Sequence, residues 1–212
     1  MVLKFQLSCH TELKKLSQRI KAKYSNVIGV DISENMLKKA QILYPNVKYI
    51  RGNLIKENIF EKNKFSHIYF DERTLYYNNL NDIKKIINNA HLWLKDGGYL
   101  IMPIYNPDEL QLACRYYSSK YIDDKGNVHG FTYLNDFSHD CYYIKNDEDD
   151  MIFDYYDKIV LKSGEKRIKR TTFYIPPKEN IYDYILNVGF DLIYIEKIRI
   201  QIVGGYELAI FK

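Results

Sequence analysis

The chain has 212 residues, 46% of them hydrophobic and 27% charged, the balance of a globular protein long enough to bury a real core. A net charge of +4 is too mild to indicate nucleic acid, no apolar run approaches the ~20 residues of a membrane span, and the first ten residues lack the basic, apolar and small-residue regions of a secretory leader. Cys9, Cys114 and Cys141 are too far apart for a zinc set or a disulfide framework, so reduced thiols in a cytoplasmic protein are the expectation.

In chain order, residues 2–7 read as a short strand. Residues 11–23 read as a helix with Leu13, Leu16 and Ile20 on one face. The run NVIGV at 26–30 suits a buried parallel strand, and Ser33 is placed to cap a helix that ends near Leu43, before Pro45. Strands follow at 47–50 and 65–70. The strongest helical periodicity is at 82–95, where Ile83, Ile86, Ile87, Ala90, Trp93 and Leu94 share a face, and Gly97-Gly98 is placed to end it. Residues 99–104 read as the next strand. Strands alternating with helices imply βαβ units and a parallel sheet with right-handed crossovers. A helix at 108–117 and then three strand-like stretches between 131 and 175 interrupt that alternation. Two of those stretches flank the turn Lys162-Ser163-Gly164-Glu165 as a hairpin, and the basic run at 162–170 is its solvated tip. Pro177 opens a helix carrying Ile181, Tyr184, Ile185 and Val188, Gly189 stops it, and strands at 190–200 and 206–211 finish the chain.

Ligands of open α/β sheets bind at the carboxyl ends of the strands, so the residues that follow each strand are the candidates. Asp31 follows the second strand, where a carboxylate can accept hydrogen bonds from ribose hydroxyls. Asn53 follows the third, and its amide can address an adenine edge or simply make a turn after Gly52. Asp71 and Glu72 follow the fourth, with Tyr76 and Tyr77 placed to line a substrate pocket or to pack in the core. The five histidines show no metal spacing. His67 and His91 fall inside a strand and a helix, which packing explains. His129 and His139 fall in the interrupting segment, where a histidine is either a general base or a turn residue. No phosphate-binding glycine loop and no nucleophile elbow is present.

The segment GVDISENMLKKAQ (29–41) resembles the ribose-binding segment of the class I S-adenosylmethionine (SAM) dependent methyltransferases. RGNL (51–54) is similar to their adenine-binding turn. The stretch from 65 to 102 resembles their fourth strand, helix and fifth strand; within it LKDGGYLIM (94–102) matches a leucine-lysine-proline-glycine-glycine signature with Asp96 in place of proline. GFDLIYIEK (189–197) and GGYELAIFK (204–212) resemble their last two strands. The resemblance implies a Rossmann-like α/β fold. Its sheet is seven-stranded and mostly parallel, in the order 3-2-1-4-5-7-6 with the last strand antiparallel. A single domain at 1–212 is then expected, with an antiparallel β insertion at about 105–175 as a substrate cap.

The same resemblance assigns the cofactor contacts to Ser8, Cys9, His10, Asp31, Ile32, Asn53, Leu54 and Asp71, and substrate contacts to Tyr76 and Tyr77. The family's glycine-rich first loop aligns with FQLSCHTE (5–12), where Gln6 replaces the acid and Ser8, His10 and Glu12 replace glycines. Glycines there allow φ > 0 and close approach of a ligand, so the substitution leaves two expectations open. One is SAM-dependent methyl transfer to an acceptor of unknown class, with no assignable catalytic residue. The other is a catalytically inactive relative of the same fold acting as a binding or structural subunit, with a protein partner. Neither reading requires a metal, a membrane or nucleic acid.

Overall fold

The computed structural model describes residues 2–4, 26–70, 73–107, 119–133, 136–200 and 204–212. Four short strands, β1 (Val2–Lys4), β2 (Ile28–Asp31), β3 (Lys48–Arg51) and β4 (Phe65–Phe70), pair in parallel, with β1 between β2 and β4. β5 (Leu94–Ile104) extends the parallel set beside β4. The chain returns at its end as β11 (Leu192–Ile200) and β12 (Gly204–Phe211), and β12 runs antiparallel to β5. The sheet order is β3-β2-β1-β4-β5-β12-β11.

The helices form where caps and apolar spacing require them. Helix α1 (Glu34–Leu43) starts at Ser33, whose Oγ accepts from Met36 N–H at 3.4 Å. Helix α2 (Leu80–Trp93) starts at Asn79, whose side chain accepts from Asp82 N–H at 3.0 Å. Its Ile83, Ile86, Ile87, Ala90 and Trp93 are buried against Ile68, Phe70, Leu100 and Met102 of the sheet in one cluster. The buried polar groups on this helix are satisfied: Asn89 Nδ2 donates to the Leu54 carbonyl at 2.8 Å and Trp93 Nε1 to the Glu57 carbonyl at 3.0 Å. Helix α3 (Lys178–Val188) follows Pro177 and stops at Gly189, which takes φ +111.

One boundary differs from the sequence expectation. The pair Gly97-Gly98 does not end α2. The helix stops at Trp93, Leu94 is already extended and pairs with Phe65, and the glycines lie inside β5. Gly97 holds φ +70, and a Cβ on Gly98 would stand 2.8 Å from the Lys95 carbonyl and 3.0 Å from Leu94 Cδ2. The pair therefore makes a tight irregularity at the strand's entry, which side chains would obstruct.

The segment after β5 builds a second, wholly antiparallel sheet in the order β10-β9-β8-β7-β6. Its strands are β6 (Ser119–Ile122), β7 (Val128–Tyr133), β8 (Phe137–Lys145), β9 (Ile152–Leu161) and β10 (Lys166–Tyr174). The three expected stretches are β8 to β10. The additional hairpin β6–β7 turns through residues 123–127, where the Asp123 carboxylate accepts from Lys125 and Asn127 N–H and from Asn127 Nδ2, and where Gly126 takes φ +83. Cys141, Tyr143, Phe153 and Phe173 of this sheet belong to the same buried cluster as the parallel sheet's core. The helices expected at 11–23 and 108–117 lie outside the described residues.

Candidate functional site at the carboxyl ends of the parallel strands

Because β2, β3 and β4 run parallel, Asp31, Asn53 and the turn beginning at Arg73 leave the sheet at the same edge. Asp31 is 8% exposed. Its Oδ1 accepts from Ser33 N–H at 2.7 Å, and its main-chain carbonyl accepts from Gly52 N–H at 3.0 Å, which ties the ends of β2 and β3 together. No other described residue hydrogen-bonds the carboxylate, so one oxygen is fixed and the other remains an acceptor. A buried carboxylate in that condition suits a pair of vicinal hydroxyls. Beside it Ile32 is 59% exposed, an apolar surface that a bound ring would cover.

Asn53 is partly committed: its Oδ1 accepts from Ile55 N–H at 3.0 Å in a local turn, leaving its NH2 group as a donor. The Leu54 side chain is only 3% exposed and sits in the core, while its carbonyl is taken by Asn89. Tyr76 and Tyr77 divide sharply. Tyr76 is buried and its hydroxyl donates to the Pro103 carbonyl at 3.2 Å while accepting from Tyr105 N–H at 3.2 Å, so it clamps the end of β5. Burial pushes its phenol well above the usual range, a Tyr105 backbone hydrogen bond opposing. Tyr77 is 43% exposed and its ring lies 4.9 Å from that of Phe173 on β10. The antiparallel sheet therefore packs on the turn that follows the carboxyl end of β4. Ser8, Cys9, His10 and Asp71 lie outside the described residues.

Arg73 was not among the sequence candidates. Its guanidinium sits over the rings of Tyr143, Tyr155 and Phe173, with centroid distances of 5.6, 5.7 and 5.1 Å. Burial opposes its charge, but the surrounding tyrosines Tyr143, Tyr105, Tyr155 and Tyr77 favour it by more, and its pKa is raised. Such ring contacts are worth about 0.5–2 kcal/mol each at partly desolvated sites. They satisfy charge without accepting an N–H bond.

The two histidines of the antiparallel sheet also separate. His129 is buried between the rings of Tyr121 and Tyr142, with its nitrogens 3.1 Å from Asp140 Oδ1 and 3.1 Å from Asp123 Oδ2, a packed and fully engaged ring. His139 pairs through Nε2 with Asp157 Oδ1 at 2.5 Å. That hydrogen bond raises its pKa against the opposing effect of burial. Since Tyr143 faces Tyr155 and His139 faces Ile159 across the β8–β9 ladder, His139 and Asp157 share the face that carries the Arg73 rings. Among the described residues no group of three or more metal-ligating side chains occurs, and no helix is long and apolar enough to cross a membrane.

Against known proteins, a family model described as a methyltransferase domain matches residues 12–98. The structure superposes on the CcbJ methyltransferase of Streptomyces caelestis with a TM-score of 0.72 at 16% identity, covering 100% of this chain and 82% of that one. The family match spans residues 12–98, and over the whole chain the fold is that of these solved methyltransferases. An S-adenosylmethionine-dependent methyltransferase from Clostridium acetobutylicum is similar over the same shares, with a TM-score of 0.71 at 16% identity. SAM-bound CalS10 of Micromonospora echinaspora, an amino pentose methyltransferase, has a TM-score of 0.69 at 11% identity, over 98% of this chain and 82% of that one. No curated protein matches the sequence significantly. SAM is bound in CalS10; at the end of β2 here Asp31 offers a carboxylate acceptor and Ile32 an exposed apolar surface, groups able to meet a ribose and a base.

Proposed function

We propose that this chain transfers a methyl group from SAM to an acceptor held under the antiparallel sheet. The observation that carries the proposal is Asp31: a nearly buried carboxylate at the end of β2, one oxygen held by Ser33 and the other, among the described residues, uncommitted. In this reading Asp31 takes the ribose hydroxyls, Ile32 covers one side of the nucleoside, and the Asn53 NH2 group with the Leu54 backbone meets the adenine. In the same reading Ser8, Cys9 and His10 meet the methionine moiety, with Asp71 near it. The bound cofactor supplies an electrophilic methyl group on a sulfonium, and such transfer needs orientation and exclusion of water more than proton chemistry. Tyr77 and the sheet from β6 to β10 provide both, so residues 105–175 form the acceptor cap of one domain. We take the parallel sheet to be the family's 3-2-1-4-5-7-6 arrangement, supported by the pairing of Val2–Lys4 with both β2 and β4. A small polar acceptor is favoured, by likeness to the amino pentose methyltransferase.

Isothermal titration of the full chain with SAM and with S-adenosylhomocysteine tests the core of this reading. One-site binding of both is expected. Absence of binding by either would overturn it. Transfer of a deuterated methyl group from labelled SAM to a panel of amines and alcohols, read by mass spectrometry, then identifies the acceptor.

A further inference from the structure

Arg73 carries five N–H donors in a planar fork, yet among the described residues its guanidinium makes no hydrogen bond and no ion pair. Its recorded partners are the faces of Tyr143, Tyr155 and Phe173. The next residue repeats the pattern, for Thr74 is 1% exposed and its Oγ1 has no hydrogen-bond partner among the described residues. Arg73 is half-buried and Thr74 buried; a buried hydroxyl is ordinarily matched, so this one, beside a guanidinium that makes no hydrogen bond among the described residues, marks a place where a partner belongs. The turn leaves β4 at its carboxyl end, beside the half-exposed ring of Tyr77, where the parallel sheet and the antiparallel sheet meet.

We propose that Arg73, caged by Tyr143, Tyr155 and Phe173, is the anchor for an anionic group, a carboxylate or phosphate, on the methyl acceptor. The chemistry follows from shape. Rings stacked on a guanidinium engage its faces and leave its in-plane donors for a planar or tetrahedral oxyanion, which a fork binds with two parallel hydrogen bonds. The rings also keep water from the faces, so a charge-assisted bond at the edge is stronger than it would be on an open surface. Placement on the acceptor side, and not on the cofactor side, rests on the methyltransferase reading above and on the rings themselves: all three come from the antiparallel cap, whereas Asp31 and Ile32 are strands away on the parallel sheet.

The test uses the full chain at constant ionic strength, with and without S-adenosylhomocysteine. Acetate, inorganic phosphate and neutral acetamide are titrated, followed by the side-chain Nε–H signal of Arg73 in NMR and by calorimetry. Wild type is expected to bind acetate or phosphate saturably at one site and to ignore acetamide; the tighter of the two anions names the group. Arg73→Met should weaken that binding roughly tenfold or more, and Arg73→Lys, which keeps charge without the fork, should fall between. S-adenosylhomocysteine affinity should stay within about twofold in both variants, well below one charge-assisted hydrogen bond. No saturable anion binding by wild type, or equal binding by wild type and Arg73→Met, overturns the proposal. Loss of S-adenosylhomocysteine affinity in parallel with anion binding also overturns it, because Arg73 would then hold the cofactor's own carboxylate. Should Arg73→Met fail to fold, the wild-type titrations and Arg73→Lys still decide. The anion arm without nucleoside keeps this outcome separate from that of the SAM titration.

Discussion

Asp31→Asn separates what the carboxylate does for the protein from what it does for a ligand. In the folded chain Asp31 Oδ1 accepts from Ser33 N–H at 2.7 Å. Asparagine retains an oxygen for that bond and puts an NH2 group where the second oxygen stood, so the start of α1 should survive while the acceptor for ribose is lost. A hydrogen bond to a charged group is worth about 1.5–3 kcal/mol, which corresponds to roughly 10- to 150-fold in Kd. The variant is therefore expected to bind S-adenosylhomocysteine at least roughly tenfold more weakly, with a thermal midpoint close to wild type. Asp31→Ala removes both functions. It should show the same loss of affinity and in addition lower the midpoint by about 2–4 °C, the equivalent of ~1 kcal/mol in a chain of this size. Calorimetry gives the affinities and differential scanning the midpoints. An unchanged Kd in Asp31→Asn would refute the assignment of Asp31 to the nucleoside, and with it the observation on which the functional proposal stands.

Other outcomes follow from the same geometry. Tyr76→Phe strands the Tyr105 N–H and the Pro103 carbonyl and should cost about 1–3 kcal/mol or more in urea denaturation; S-adenosylhomocysteine affinity should be unaffected, and a selective loss of affinity at full stability would make Tyr76 a ligand contact. His139 has its pKa raised by Asp157, so its contribution to stability is complete below about pH 6.5, the unfolded value, and fades as pH rises through the folded value. The midpoint difference between wild type and Asp157→Asn should therefore shrink from pH 6 toward alkaline pH, and a difference that grows would contradict the pairing. Replacing Ser8, His10 and Glu12 together by glycine should tighten SAM binding by relieving φ restriction and ring crowding; titration of both proteins side by side checks this, and equal affinity would show that the natural loop has its own working geometry.

Much of the parallel sheet is legible in the order of residues alone. Buried parallel strands are short apolar runs, and β2 and β4 read that way; the apolar face of α2 repeats at helical spacing over residues 83–94, and Asp31 stands directly after an apolar run. These are local signals, set by neighbours within a turn or a strand. The boundary at Gly97-Gly98 misleads because glycine after a helical run usually marks a left-handed stop, whereas here the close approach of the Lys95 carbonyl requires it. The hairpin β6–β7 escapes a sequence reading because its turn chemistry, an aspartate folding back on Lys125 and Asn127, leaves little apolar alternation to read.

What tertiary structure alone decided is which residues share a site. Tyr76 and Tyr77 are adjacent, yet one is buried as a clamp on the end of β5 and the other is half-exposed against Phe173, because a one-residue step on a tight turn sends side chains to different sides. Arg73 has no motif around it; its meaning comes from Tyr143, Tyr155 and Phe173, residues 70 to 100 positions later. Their convergence depends on the cross-strand register that sets Tyr143 against Tyr155 and Phe153 against Phe173, and a one-residue slip of any one of the three strands would turn its ring to the other face. The amino-acid order by itself determined a methyltransferase-like α/β sheet with an acid at the end of its second strand. The aromatic cage was decided by register and by the packing of one sheet on another, since cross-strand neighbours are chosen by the whole sheet and not by any local run of side chains.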